Sequence, residues 1–141
     1  MITETLVCMA LNIYHEARSE SRIAQLAVGQ VVMNRVYSDR YPNDVCGVVF
    51  QARRDTQGNL RKHSCSFSWY CDYKSDTPRD IAAYEEAMNN ATIVMNGWTG
   101  SYLEGATHYH ATYVLPRWAE HMTKVTQIDE HIFYRDDSHA R

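Results

Sequence analysis

In the segment NIYHEARSES, Asn12 to Ser21, a carboxylate follows a histidine and a second carboxylate stands four residues on, at Glu16 and Glu20. Such a pattern suits three things: a metal site, a proton-donating carboxyl group for glycosidic bonds, or a polar helix end. In the H-E-x-x-H template two histidines one helical turn apart hold zinc while the glutamate acts as base. Counted from His15, the second ligand position holds Ser19, so the segment does not build that site by itself. His108-x-His110 puts two imidazoles on one face of a strand, and His15, His121 or His131 could complete a zinc-dependent amidase with Glu16 as base.

Glu16 suits the second chemistry. It lies three residues past Ile13 and seven past Met9, at the edge of a buried stripe and near the end of a helix. Partial desolvation and the negative end of the helix dipole both disfavour its anion, so it is expected to titrate above a free glutamate, as a general acid requires. Arg18 and Arg22 stand near enough in sequence to oppose that shift. Glu20 falls in the following break, where it can open the next helix as a favourable N-terminal charge. Aromatic residues gather in CSFSWYCDY and THYHATY. Rings with a polar tip suit sugar surfaces as well as ordinary packing, so a non-catalytic glycan-binding module stands beside the enzyme readings.

Several elements must position these groups. Thr3 or Thr5 caps a helix running to about Arg18, with Leu6, Met9, Ala10, Ile13 and Ala17 on one face. After SES, the run IAQLAVGQVVMNRV is apolar on nearly every side and predicts a central buried helix. Tyr41 to Asp44 is a turn, and CGVVFQ is strand or helix. Residues 53 to 63 carry four basic side chains against one acidic, a local charge of +3, and read as an exposed loop. Thr77 as cap and Pro78 at the first helical position start a helix that reaches Asn96. ATHYHAT, KVTQI and HIFYR are short strand candidates, the last pair joined by Asp129-Glu130.

The 141 residues, 45% hydrophobic and 22% charged, suit one domain with a real core. A net charge of -3 argues against nucleic acid as partner. No stretch approaches a membrane span, and the N-terminal residues lack a signal-peptide pattern, so synthesis in the cytosol is expected. Cys8 reads as a buried, inert thiol. Cys46, Cys65 and Cys71 bracket the middle of the chain, and pairing among them is left open.

Taken in order, NIYHEARSESRIAQLAVGQVVMNRV, YPNDVCGVVFQ, CSFSWYCD, NGW, ATHYH and HIFYR resemble the cell-wall hydrolase family of the spore-cortex lytic enzyme SleB. The likeness spans nearly the whole chain. It implies a mainly helical, lysozyme-like α+β fold with a small antiparallel sheet, residues 1–141 forming one catalytic domain, and cleavage of peptidoglycan glycan strands by a lytic transglycosylase. The motif glutamate of Tyr-x-Glu-Ala-Arg corresponds to Glu16. Where the family has glycine after that arginine, this chain has Ser19, so the turn does without glycine's backbone freedom. Substrate contacts are expected from Glu20, Ser68, Trp69 and Tyr109, with Tyr109 turned toward Glu16 and His108 and His110 on the opposite face of their strand. Asp72 and Glu104 are further carboxylates for a hydrolytic route. No cofactor or metal is implied. The expected partner is peptidoglycan, bound by a monomer without membrane insertion and reached, as in a phage endolysin, after release through a holin.

Overall fold

The structure is a computed structural model and describes residues 2–138. Helix α1 (Glu4–Ala17) begins where the Thr3 hydroxyl accepts the Leu6 amide hydrogen, and α2 (Arg22–Tyr37) begins where Ser21 does the same for Ala24. Both caps satisfy an amide that the first helical turn leaves unpaired. The short α3 (Val45–Val49) resolves CGVVFQ as helix, capped by Asp44. Helix α4 (Ile81–Met95) is capped by Asp80 and not by the expected Thr77. The reason is a tertiary contact: the amides of Arg79 and Asp80 donate to the Tyr14 hydroxyl of α1 at 3.2 and 3.1 Å, which holds Thr77 and Pro78 outside the helix.

Helices α1, α2 and α4 pack on one another around Met9, Ile13, Val28, Val31 and Val32, all fully buried. The α2–α4 contact depends on Gly29, where an added Cβ would lie 2.9 Å from a Val94 methyl carbon. Antiparallel strands β3 (Ala106–Ala111), β4 (Thr123–Ile128) and β5 (His131–Arg135) form a sheet in the order β3-β5-β4, matching the three expected strands. Its central strand sends Phe133, fully buried, into the same core as the helices. The end of α2 fixes the sheet: Asn34 Nδ2 donates to the Ala106 carbonyl at 2.8 Å and Arg35 Nε to the Thr107 carbonyl at 2.8 Å. No helix among the described residues is long and apolar enough to cross a membrane.

Two further expectations are corrected. Residues 53–63 are no irregular loop, because β1 (Ala52–Arg54) and β2 (Leu60–Cys65) pair as an antiparallel hairpin. Its turn is closed by Asp55, whose Oδ1 accepts the amides of Gln57 and Asn59, both at 2.9 Å. Cys8 is no free thiol but is bonded to Cys46, because the helical form of α3 brings their Cα atoms to 5.3 Å. A second disulfide joins Cys65 to Cys71 across the turn leading into the 3₁₀ segment Ser68–Cys71.

Candidate active site

Glu16 occupies the last turn of α1, where its Oε1 accepts a hydrogen bond from the Tyr109 hydroxyl at 2.5 Å. The two belong to different layers of the fold, helix and sheet. Between them opens a pocket of about 140 Å³ whose other walls are Arg35, Ser66, Phe67, His108 and Trp118. Among the described residues Glu16 is its only carboxylate.

Burial raises the pKa of Glu16 above the ordinary glutamate value. The hydrogen bond from Tyr109 and the neighbouring His131, Arg35 and His15 side chains pull it back in part. Burial, and then the neighbouring Glu16, raise the Tyr109 phenol well above its usual value, so it stays a proton-bearing donor near neutrality. His108 is pushed down to about 4, first by burial and then by Arg35, and stands neutral at pH 7. Arg35 remains the cation of the pocket, although burial lowers its pKa. Its guanidinium carbon lies 5.0 Å from the ring centroids of both Phe67 and Tyr41, which replace water around it. The arginines expected to oppose the Glu16 shift do something else. Arg18 bonds the Tyr14 hydroxyl at 2.6 Å, and Arg22 opens α2.

A second layer holds the acid in place. His15 stacks on Trp69 with centroids 4.5 Å apart and bonds the Asp76 carbonyl at 2.8 Å. Asn12, fully buried one turn before Glu16, accepts the Trp69 indole hydrogen at 2.9 Å. The amide nitrogen of Asn12 has no hydrogen-bond partner of good geometry, yet its nearness to Tyr109 eases that phenol's ionisation. Glu20 lies 2.9 Å from His131 Nδ1 in a hydrogen bond, and it also accepts the Glu130 amide at 3.3 Å. The His131 ring then meets Tyr109 edge-on at 5.2 Å.

Of the residues expected to touch substrate, only Tyr109 lines the pocket with Glu16. Glu20 is spent on His131 and the β4–β5 turn. Trp69 is 6% exposed with its polar edge given to Asn12, so it belongs to the core and does not wall a groove. Ser68 is exposed and starts the 3₁₀ segment, without a bond to Glu16; Ser66 and Phe67, just before it, hold the place foreseen for it. His110 is packed as expected, 2.8 Å from the Tyr134 hydroxyl, but His108 reaches the pocket rim. A register irregularity between Ala106 and His108 accompanies that placement.

Sequence reasoning passed over Arg35, Ser66, Phe67 and Trp118. Arg35 left a signal: it continues the stripe of Val28, Val31 and Val32 in the most buried helix, where a charge needs a reason. A larger concavity, about 470 Å³ beside Arg40, Tyr41 and Arg135, shares no lining residue with the Glu16 pocket. Its acids Asp136 and Asp137 are bound by Arg40 and Arg135.

The fold and the sequence have counterparts. The structure aligns with the catalytic domain of the germination-specific lytic transglycosylase SleB from Bacillus anthracis, with TM-score 0.68, 26% identity, and 96% of this chain and 97% of that one covered. It aligns with the catalytic domain of Bacillus cereus SleB at TM-score 0.65 and 26% identity, over 96% and 93% of the two chains. The spore cortex-lytic enzyme of Bacillus cereus is 28% identical over 127 residues, 89% of this chain and 42% of that protein. That of Oceanobacillus iheyensis is 30% identical over 128 residues, 89% and 39% of the two. The chain thus spans less than half the length of these relatives. Residues 19–134 match the family described as Cell Wall Hydrolase, a segment that opens three residues after Glu16 and takes in every other wall of the pocket, and the chain belongs to that family.

Proposed function

We propose that the chain cleaves the glycan strands of bacterial peptidoglycan as a lytic transglycosylase, with Glu16 serving first as acid and then as base. The observation that carries this is a single, half-buried carboxyl group of raised pKa in a pocket that no other carboxylate lines among the described residues. Glu16 gives its proton to the glycosidic oxygen as the bond to the muramic acid C1 breaks. The carboxylate left behind takes the proton of that sugar's 6-hydroxyl, whose oxygen closes on C1 as a 1,6-anhydro ring. Water is not consumed. Tyr109 fixes the rotamer of Glu16, and the Arg35 cation favours the carboxylate form needed for the second half.

Ordinary glycosidases require a second carboxylate about 5 to 9.5 Å from the first. Asp72 lines a separate pocket beside Tyr14 and Arg18, Glu104 ends the short turn Ser101–Leu103, and Glu20 is paired. The residues of the zinc amidase alternative do not converge. His15, His110 and His131 have separate partners, and no three His, Cys, Asp or Glu side chains among the described residues form a metal-holding group. The name borne by the aligned Bacillus anthracis domain, a lytic transglycosylase, supports the same reading.

Mass spectrometry of digested peptidoglycan tests it. Anhydro sugar ends are expected, reducing ends would mean hydrolysis, and freed peptides would mean an amidase. Deployment as a phage endolysin is part of the proposal. Host lysis is expected only when a holin is co-expressed, and lysis without one would count against that role.

A further inference from the structure

We infer that the basic β1–β2 hairpin docks the carboxylates of the peptide stems that the glycan strand carries, beside the bond being cut. The inference rests on the peptidoglycan reading above and names which part of that polymer the hairpin recognises. Arg53, Arg61, Lys62, His63 and Ser66 line a concavity of about 430 Å³, and Ser66 is also a wall of the Glu16 pocket. The two hollows are therefore neighbours. With -3 on the whole chain and +3 on residues 53–63, the remainder carries -6, so the hairpin's charge runs against that of the molecule.

No ion pair in the hairpin offsets it. The lone acid, Asp55, is turned onto its own turn amides, and among the described residues no ion pair involves residues 53–63. The backbone beneath the charges is held. The Ser64 hydroxyl donates to the Arg53 carbonyl at 2.9 Å, the Lys62 amide donates to the Tyr73 hydroxyl at 3.0 Å, and Cys65–Cys71 closes the base. Arg54 is tied to the Gly58 carbonyl and the Tyr70 hydroxyl, each at 3.1 Å, whereas Arg53 and Arg61 are exposed and make no such side-chain bond among the described residues. Ordered backbone under free guanidinium groups is a preorganised carboxylate receptor.

The substrate's chemistry supplies the matching anion. The stem hangs from the muramic acid ring, the same ring whose 6-hydroxyl attacks, and a stem of three residues reaches about 10 Å. Its carboxylates thus fall next to the scissile bond, where the Ser66 junction places the hairpin. Exposed pairs contribute little singly, so the effect belongs to the cluster, to binding and to low salt.

The experiment uses intact strands and the same strands stripped of stems by an amidase. For the Arg53→Gln, Arg61→Gln, Lys62→Gln triple variant, kcat/KM is expected to fall about tenfold on intact strands, mainly through KM, and to stay within about twofold on stripped ones. The wild-type preference for intact strands should vanish at about 0.5 M salt. Equal activity of variant and wild type on intact strands overturns the inference, and so does an equal loss on both substrates. Binding by the catalytically silent Glu16→Gln protein, with and without the triple change, gives the same contrast without turnover. If wild type cuts neither substrate, the transglycosylase reading falls while binding still decides the role of the hairpin. Single Arg53→Gln and Arg61→Gln proteins carry the test if the triple variant does not fold.

Discussion

Two glutamates four residues apart meet opposite fates. Glu16 ends a helix at the wall of a small pocket, half-buried, faces a neutral phenol and has no ion pair among the described residues. Glu20 lies one turn onward, where its side chain is 16% exposed and paired with His131. Both are held by hydrogen bonds, but the donors differ. A phenol that resists ionisation orients Glu16 while leaving its proton transferable. An imidazole together with a backbone amide saturates Glu20 and spends it on joining the α1–α2 corner to the β4–β5 turn. Chemistry in this motif therefore depends on what each carboxylate is denied.

The widest gap expected between them is in turnover. Glu16→Gln keeps the shape, removes the proton, and should lower wall lysis by about two orders of magnitude or more. Glu20→Gln, outside the pocket, should cost less than about tenfold. Lysis assays on folded proteins check both, and equal losses would break the distinction. Stability should separate the pair in the opposite sense. The raised Glu16 pKa means that ionising it costs more folded than unfolded, a penalty absent below the unfolded value near 4.5 and complete above the raised folded one. Glu16→Gln should therefore raise the melting temperature at pH 7 and leave it unchanged at acid pH. Glu20→Gln should lower it, through about 1 kcal/mol of weakened hydrogen bonding to the His131 ring and the Glu130 amide.

Tyr109→Phe sharpens the other half of the comparison. The phenol's hydrogen bond lowers the Glu16 pKa, so its loss should carry that pKa further up. Activity that needs protonated Glu16 dies away as pH rises through this value, and its alkaline limb should move to higher pH in the variant. Loss of positioning should also lower kcat about tenfold. A pH profile that keeps its alkaline limb would mean that Tyr109 does not set the acid's proton affinity.

What the sequence revealed follows from what each residue's environment depends on. The apolar spacing of α1 and α2 is local, as is the pairing of Thr3 with the Leu6 amide, so both helices were legible. So was Glu16 at the edge of a stripe. Trp69 was not, because composition cannot tell a sugar platform from a core ring, and its deciding partner, Asn12, stands 57 residues away. The Cys8–Cys46 bond needed α3 to be helical and packed on α1, which an ambiguous apolar run could not establish. The hairpin at 53–63 was hidden because its strands are short and exposed, without the alternation of a half-buried strand.

The smallest expected effect lies between the two glutamates. Ser19 has φ 75°, the left-handed backbone that glycine adopts freely, so the turn keeps the glycine-like geometry although the residue has changed. A non-glycine residue there costs about 1 to 2 kcal/mol. Glycine would relieve that strain but would lose more chain entropy on folding, about 0.5 to 1 kcal/mol. The Ser19 side chain is exposed and forms no hydrogen bond that the change would sacrifice. Ser19→Gly should therefore stabilise the fold by about 0.5 kcal/mol, seen as a small rise in the urea midpoint at constant slope. Turnover should stay within about twofold, since neither the Tyr109–Glu16 bond nor the Glu20–His131 pair involves this residue. A larger change in lysis would show that the turn does more than join two differently used carboxylates, and that the angle it sets between α1 and α2 governs how Glu16 meets its substrate.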